Sequence, residues 1–194
     1  MKYPPHPLTR KQVVSLIEAA QRSRCGNREA AHLTVLYRTG MRCAESCNLD
    51  MDDLRDFKGG CMVVRVTHPK GWERGAMPRE IGLDVKASQV LRAWLAERGP
   101  EAGPVFQTRR GRGHRVQPSH IRRLIPQLAK QAGITRRVHP HALRHTFARE
   151  LYDEGVGPVE IMLALGHTNL ATTQKYLRSI GATEVIKVTA SRGW

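Results

Sequence analysis

Between His139 and Tyr176 the chain gathers chemically versatile side chains onto short helical pieces. It reads His139-Pro140-His141-Ala142-Leu143-Arg144-His145, then Leu165-Gly166-His167, then Gln174-Lys175-Tyr176. Proline near a first helical position and glycine past a last one mark where the pieces start and stop. Pro140 opens a helix whose buried stripe, at about 100° per residue, is Leu143, Phe147 and Leu151, and Gly155 ends it. His141 and Arg144 fall one turn apart on the flank of that stripe. Pro158 begins a second helix, buried through Ile161, Met162 and Leu165, and Gly166 terminates it, so His167 emerges at a helix end. Thr168 caps a last helix, with Leu170 and Leu177 inward and Tyr176 to one side. An arginine, several histidines and a tyrosine thus fall within two or three short helices.

The rest of the chain supplies a mainly helical frame. Thr9-Arg10-Lys11-Gln12 is a capping-box pattern, and Val13, Leu16, Ile17 and Ala20 follow at helical spacing to about residue 22. Asn27 is placed to cap the next helix, with Ala31, Val35 and Leu36 inward and Gly40 at its end. A short helix runs from Arg42 to about Leu49, and Asp50 to Gly60 is turn-rich. Met62 to Thr67 is a strand by its β-branched content, His68 to Arg74 a hairpin tip, and Arg79 to Leu83 the returning strand. Asp84 caps a helix carrying Val90, Leu91, Trp94 and Leu95 inward, which Gly99-Pro100 ends. Pro118 to Ala132 is helical on Ile121, Leu124, Ile125 and Leu128, with Pro126 inside it as a kink or break. Arg122 and Arg123 lie off that apolar stripe. The fold class is therefore mixed and mainly α, with a small antiparallel β-sheet, in one domain without internal repeats.

Charge narrows the partners. Lys plus Arg is 32 against 17 Asp plus Glu, a formal net charge of +15. Neutralising phosphates releases counterions, so such a chain favours a polyanion, and nucleic acid is the common one. Thr108 to Arg115 is a Gly/Arg loop whose Arg109, Arg110 and Arg112 suit a phosphate-tracking surface, alongside Arg122 and Arg123. No apolar run approaches the roughly 18 residues of a membrane span, and Met1-Lys2-Tyr3-Pro4-Pro5 is no secretion signal. The four cysteines, Cys25, Cys43, Cys47 and Cys61, form no C-x-x-C pair and read as reduced packing residues in a cytoplasmic protein. His141 and His145 stand at i and i+4. They lack the intervening Glu of H-E-x-x-H and an evident third ligand, so no metal is expected.

The order H-x-L-R-H, L-G-H, Y resembles the second half of the active site of the tyrosine recombinases, also called the phage integrase family. Thr39-Gly40-Met41-Arg42-Cys43-Ala44-Glu45 looks like the family's T-G-L-R-x-x-E segment, and Lys70-Gly71-Trp72-Glu73-Arg74 partly matches its K-G-x-x-E/R hairpin tip. The return from that tip is longer than usual, through Gly75-Ala76-Met77-Pro78. The resemblance runs from about Thr9 to Tyr176 and covers only the catalytic domain. It implies residues 1 to 194 as a single catalytic domain, with 1 to 8 as lead-in and 179 to 194 as tail, lacking the N-terminal core-binding domain that most members carry.

By resemblance Tyr176 is the nucleophile, giving a 3′-phosphotyrosyl bond. Arg42 and Arg144 clamp the scissile phosphate, His167 donates a further hydrogen bond, and Lys70 protonates the leaving 5′-oxygen. His141 is the acid/base partner near the attacking oxygen, and Glu45 orients Arg42 from one turn on. The reaction it implies is site-specific recombination of double-stranded DNA, without metal, ATP or other cofactor. A tetramer would assemble on paired sites, from a protein monomeric in solution and nucleoid-associated when bound. The residue types suit that chemistry. A phenol with a pKa near 10 needs help to ionise, and forked, permanently charged guanidiniums suit non-bridging oxygens that gain charge. Three other classes remain open: a type IB topoisomerase, a DNA-binding module without strand exchange, and a small RNA-binding protein favoured by the Gly/Arg loop.

Overall fold

The structure, a computed structural model, describes residues 7–69, 73, 77–108 and 113–167. The expected hairpin tip with Lys70, the loop arginines Arg109, Arg110 and Arg112, and the last helix with Tyr176 lie outside the described residues.

Helix α1 (Arg10–Gln21) starts as its sequence demands. The Thr9 hydroxyl accepts from the Gln12 amide, and the Gln12 side chain accepts from the Thr9 amide. Helix α2 (Gly26–Thr39) begins two residues earlier than Asn27 as its cap would place it. Cys25 is the N-cap without a side-chain hydrogen bond, and the Asn27 amide is spent on Glu97 instead. α2 is the central element, buried nearly all round and packed against α1 and two later helices, α4 (Val85–Arg98) and α6 (Pro140–Asp153). Full burial hides the one-sided stripe that a surface helix would show. Gly40 ends α2 at φ 58°, and the Phe147 ring of α6 lies against it, so a side chain there would collide.

α3 (Cys43–Cys47) follows at once. The turn-rich stretch after it contains β1 (Leu54–Asp56), which lacks β-branched residues and exists because it pairs with β2 (Met62–Val66). β3 (Arg79–Leu83) pairs on the other side of β2, giving an antiparallel sheet in the order β1-β2-β3 with Val64 between Leu54 and Ile81.

The Asp84 side chain caps α4 by accepting from the Ala87 amide, as expected. α5 (Pro118–Gln131) continues through Pro126. That proline and Arg122, whose carbonyl it leaves unbonded, are both exposed, so water can serve the carbonyl. α7 (Pro158–Leu165) packs on α6 and β3. Ile161 and Leu165 are buried with Ile81, Phe147 and Ala148 in a second small core, while Met162 is only partly covered. No helix among the described residues is long and apolar enough to cross a membrane.

Candidate active site

α7 ends in Gly166, at φ 65°, and the carbonyls of Ala164, Leu165 and Gly166 at this end have no amide partner among the described residues. Three arginines take three successive carbonyls. Arg79 Nε donates to Ala164 at 2.9 Å, Arg144 Nη2 to Leu165 at 2.7 Å, and Arg42 Nη2 to Gly166 at 3.2 Å. Cations are favoured at a helix C-terminus, where the carbonyl dipoles converge. The helix end is thus a template that brings together side chains from the start of β3, the second turn of α6 and the N-cap of α3.

Each guanidinium is held a second time. Arg144 is buried rather than flanking, 2% exposed, and its Nη1 donates to the Gly40 carbonyl at 2.7 Å. Arg42 donates from Nη1 to Glu45 Oε1 and from its backbone amide to Glu45 Oε2, both at 2.8 Å. The contact is the i, i+3 one that the spacing allows. Arg79 Nη2 reaches the same Oε2 at 2.7 Å. Burial pushes the Glu45 carboxyl up, but Arg79 and the Arg42 hydrogen bonds outweigh it and hold the pKa down to about 2. Glu45 is therefore ionised across the working range.

The histidines sit in the same field. Burial first, then Arg144, Arg42 and Arg79, lower His167 to about 4. His141 is lowered by burial, then by Arg144, His139, Arg42 and Arg122. Burial, then His141, His139 and Arg144, lowers His145 to about 4. His167 and His145 are thus neutral near pH 7, each ring with one donor and one acceptor nitrogen, and His141 shifts the same way. His141 stays exposed on the first turn of α6, its ring edge-on to His139 at 6.1 Å between centroids.

Of the residues singled out by sequence, Arg42, Glu45, His141, Arg144 and His167 converge here. Arg122 is exposed on α5 and its charge reaches His141, so it borders the site; Arg123 is exposed beside it on the same helix. Lys70, Tyr176, Arg109, Arg110 and Arg112 are outside the described residues. Sequence reasoning passed over Arg79. Its signal was there: alternation along β3 puts Arg79 on the same face as Ile81 and Leu83, and an arginine on the apolar face of a strand needs a reason.

A mainly helical fold with a three-stranded sheet thus gathers fixed arginines and imidazoles of lowered pKa at one helix end, a concentration of positive charge that suits an anion. The chain belongs to the phage integrase family, whose description matches residues 6–181. It is 33% identical over 182 residues to the tyrosine recombinase XerC of Thermodesulfovibrio yellowstonii, covering 89% of this chain and 57% of that protein. To the tyrosine recombinase XerA of Thermococcus kodakarensis it is 34% identical over 175 residues, covering 90% and 58%. The chain thus spans less than two thirds of the length of these curated relatives. Its fold is similar to a crystal structure of XerA recombinase, with TM-score 0.79 and 31% identity over 98% of this chain and 65% of that one. It is also similar in fold to XerH site-specific recombinase bound to a palindromic difH substrate, with TM-score 0.78, 21% identity, and 98% and 54% covered.

Proposed function

We propose that this chain is a catalytic domain, residues 1 to 194, that cleaves and rejoins double-stranded DNA in site-specific recombination through a 3′-phosphotyrosyl intermediate. What carries the proposal is the convergence of Arg42, Arg144 and His167 from separate segments on one helix end.

The Tyr176 oxygen attacks the scissile phosphorus and the bond to the 5′-oxygen breaks. Phosphodiester energy is kept in the new bond, so rejoining by the reverse attack needs no ATP. Charge accumulates on the non-bridging oxygens, where Arg42 and Arg144 act as a forked clamp already fixed before substrate arrives. Preorganisation matters here because the donors pay no reorganisation as the charge develops. His167, neutral, donates one hydrogen bond. His141, also neutral and exposed, takes the phenolic proton and returns it on rejoining. Lys70 gives its proton to the leaving 5′-oxygen. Glu45 keeps Arg42 aimed. With the protein's own cations around the phosphate, the chemistry calls for no metal or other cofactor.

Arg109, Arg110, Arg112, Arg122 and Arg123 contact backbone phosphates and so set grip rather than sequence. Recombination joins two duplexes, so four protomers assemble on paired sites from monomers in solution, in the cytoplasm and at the nucleoid.

The test is a duplex nicked just past the cleavage point, so that the short 5′ fragment diffuses away and the adduct is trapped. A denaturant-stable protein–DNA adduct supports strand cleavage, and its absence overturns it. Dependence of product on two paired sites distinguishes recombination from relaxation of a single duplex.

A further inference from the structure

Arg79 has no part in the chemistry above, yet its side chain is only 8% exposed and lies among the groups that do. Nη2 holds Glu45 and Nε holds the end of α7. Its Nη1 is buried with no hydrogen-bond partner among the described residues. That nitrogen occupies the place where a side chain on Gly166 would begin, 2.6 Å from the ideal Cβ. The glycine before His167 therefore serves two ends: the left-handed turn, and room for the Arg79 guanidinium.

Two effects follow for Arg42. The first is electrostatic. Glu45 alone would cancel the charge of Arg42, to which it is bonded at 2.8 Å. With Arg79 on the other side of the carboxylate at 2.7 Å, the group of Arg42, Glu45 and Arg79 keeps a net positive charge for an incoming phosphate. The second is geometric. Oε1 of Glu45 takes Arg42 Nη1, and Oε2 takes both the Arg42 amide and Arg79 Nη2. A carboxylate held at both oxygens cannot swing, and neither can the guanidinium it aims. Arg79 in turn is anchored to the carbonyl of Ala164, immediately before the carbonyls that hold Arg144 and Arg42.

We propose that Arg79 is a positioning residue for the phosphate clamp. It sets Glu45, and through it Arg42, in register with the end of α7, and it restores the positive charge that Glu45 removes. The proposal rests on the strand-cleavage function above. A lysine cannot replace it, because a single ammonium lacks the planar fork that reaches Glu45 and Ala164 together.

The experiment measures single-turnover adduct formation on the nicked duplex for the unaltered chain, Arg79→Met, Arg79→Lys, Arg42→Ala and the double variant of Arg79→Met with Arg42→Ala. Each is run on an ordinary phosphodiester and on a neutral methylphosphonate at the scissile position. Arg79→Met is expected to bind duplex normally and to form adduct about 100-fold more slowly, the cost of a small misplacement of a catalytic group. Arg79→Lys is expected to restore little of that rate. The double variant should be no slower than Arg42→Ala alone, because a residue that acts through another adds nothing once the other is gone. The Arg79→Met deficit should shrink on the methylphosphonate, where a misplaced Arg42 has less charge to meet. If Arg79→Met does not fold, Arg79→Gln, which keeps a polar group in the buried position but cannot reach Glu45 and Ala164 together, is expected to show the same pattern. Cleavage by Arg79→Met at the unaltered rate would overturn the proposal. So would a deficit that adds in full to that of Arg42→Ala and is equal on both substrates, which is the mark of a purely structural role. An unaltered chain that forms no adduct at all would sink the strand-cleavage function with it, and is separable from both of those outcomes.

Discussion

The Arg144 guanidinium donates to the Gly40 carbonyl at 2.7 Å, so Arg144 is fixed to the turn that launches Arg42. Only Met41 separates Gly40 from Arg42. The two arginines are far apart in the chain yet share one short piece of backbone and one helix end. Displacing either disturbs both.

Gly40 is the lever for testing that coupling. It sits at φ 58°, and an added Cβ would come within 2.2 Å of the Phe147 ring. Left-handed strain of about 1–2 kcal/mol and an overpacking cost of about 1–3 kcal/mol should both apply to Gly40→Ala. The expected outcome is a lower urea midpoint, with adduct formation reduced beyond what the unfolded fraction explains. A variant as stable and as active as the parent would show that the turn does not set the clamp.

Acid should destabilise the fold in two stages. The folded pKa of His32, buried and stacked on Phe106 at 4.0 Å, is lowered to about 3 by burial, then Arg28 and His120. His145 and His167 are lowered to about 4. These groups contribute fully above the unfolded value of 6.5, and lose that contribution as pH falls toward 4 and 3, because the unfolded chain takes up protons the folded one refuses. Glu45, at about 2 against 4.5 unfolded, contributes fully above 4.5 and fails toward 2. Urea midpoints across this range should fall from about pH 6.5 downward, and His32→Gln should flatten the upper part of the fall. An unchanged slope in that variant would mean His32 is not the group titrating.

The proposed acid can be tested chemically. A substrate with sulfur in the 5′-bridging position expels a thiolate, which leaves without a proton. Lys70→Ala should cleave it at close to the unaltered rate while failing on the oxygen substrate, and Arg144→Ala should fail on both. Equal failure of the two variants on sulfur would move the acid elsewhere, His68 and Arg74 being the neighbours of Lys70 in sequence.

Much of this arrangement was legible in the residues, for local reasons. Thr9 with Gln12, Asp84, Gly40 and Gly166 announce their caps because capping is a contact between residues three or four apart. β2 and β3 were visible through β-branched content and alternation. β1 was not, since Leu54-Arg55-Asp56 has no strand preference and is a strand only by pairing with Met62 to Val64. Asn27 misled because its side chain found Glu97 across the fold before it found its own helix. At the site, the motif residues pointed to the arginines and histidines, but not to the depth of Arg144, nor to the α7 carbonyls that hold three guanidiniums. Backbone acceptors carry no signature in a sequence. Arg79 escaped for a related reason: its partners, Glu45 and Ala164, are distant in the chain and meet only when β3 packs on α7.

The most direct test of the central claim identifies the residue that becomes joined to DNA. The unaltered chain and Tyr176→Phe are incubated with the nicked duplex, denatured, and any adduct digested and sequenced by mass spectrometry. The account predicts a 3′-phosphate on the peptide containing Tyr176, a free 5′-hydroxyl on the other fragment, and no adduct from Tyr176→Phe although it still binds the duplex. An undiminished adduct in Tyr176→Phe, or a phosphate found on any other side chain, would contradict it.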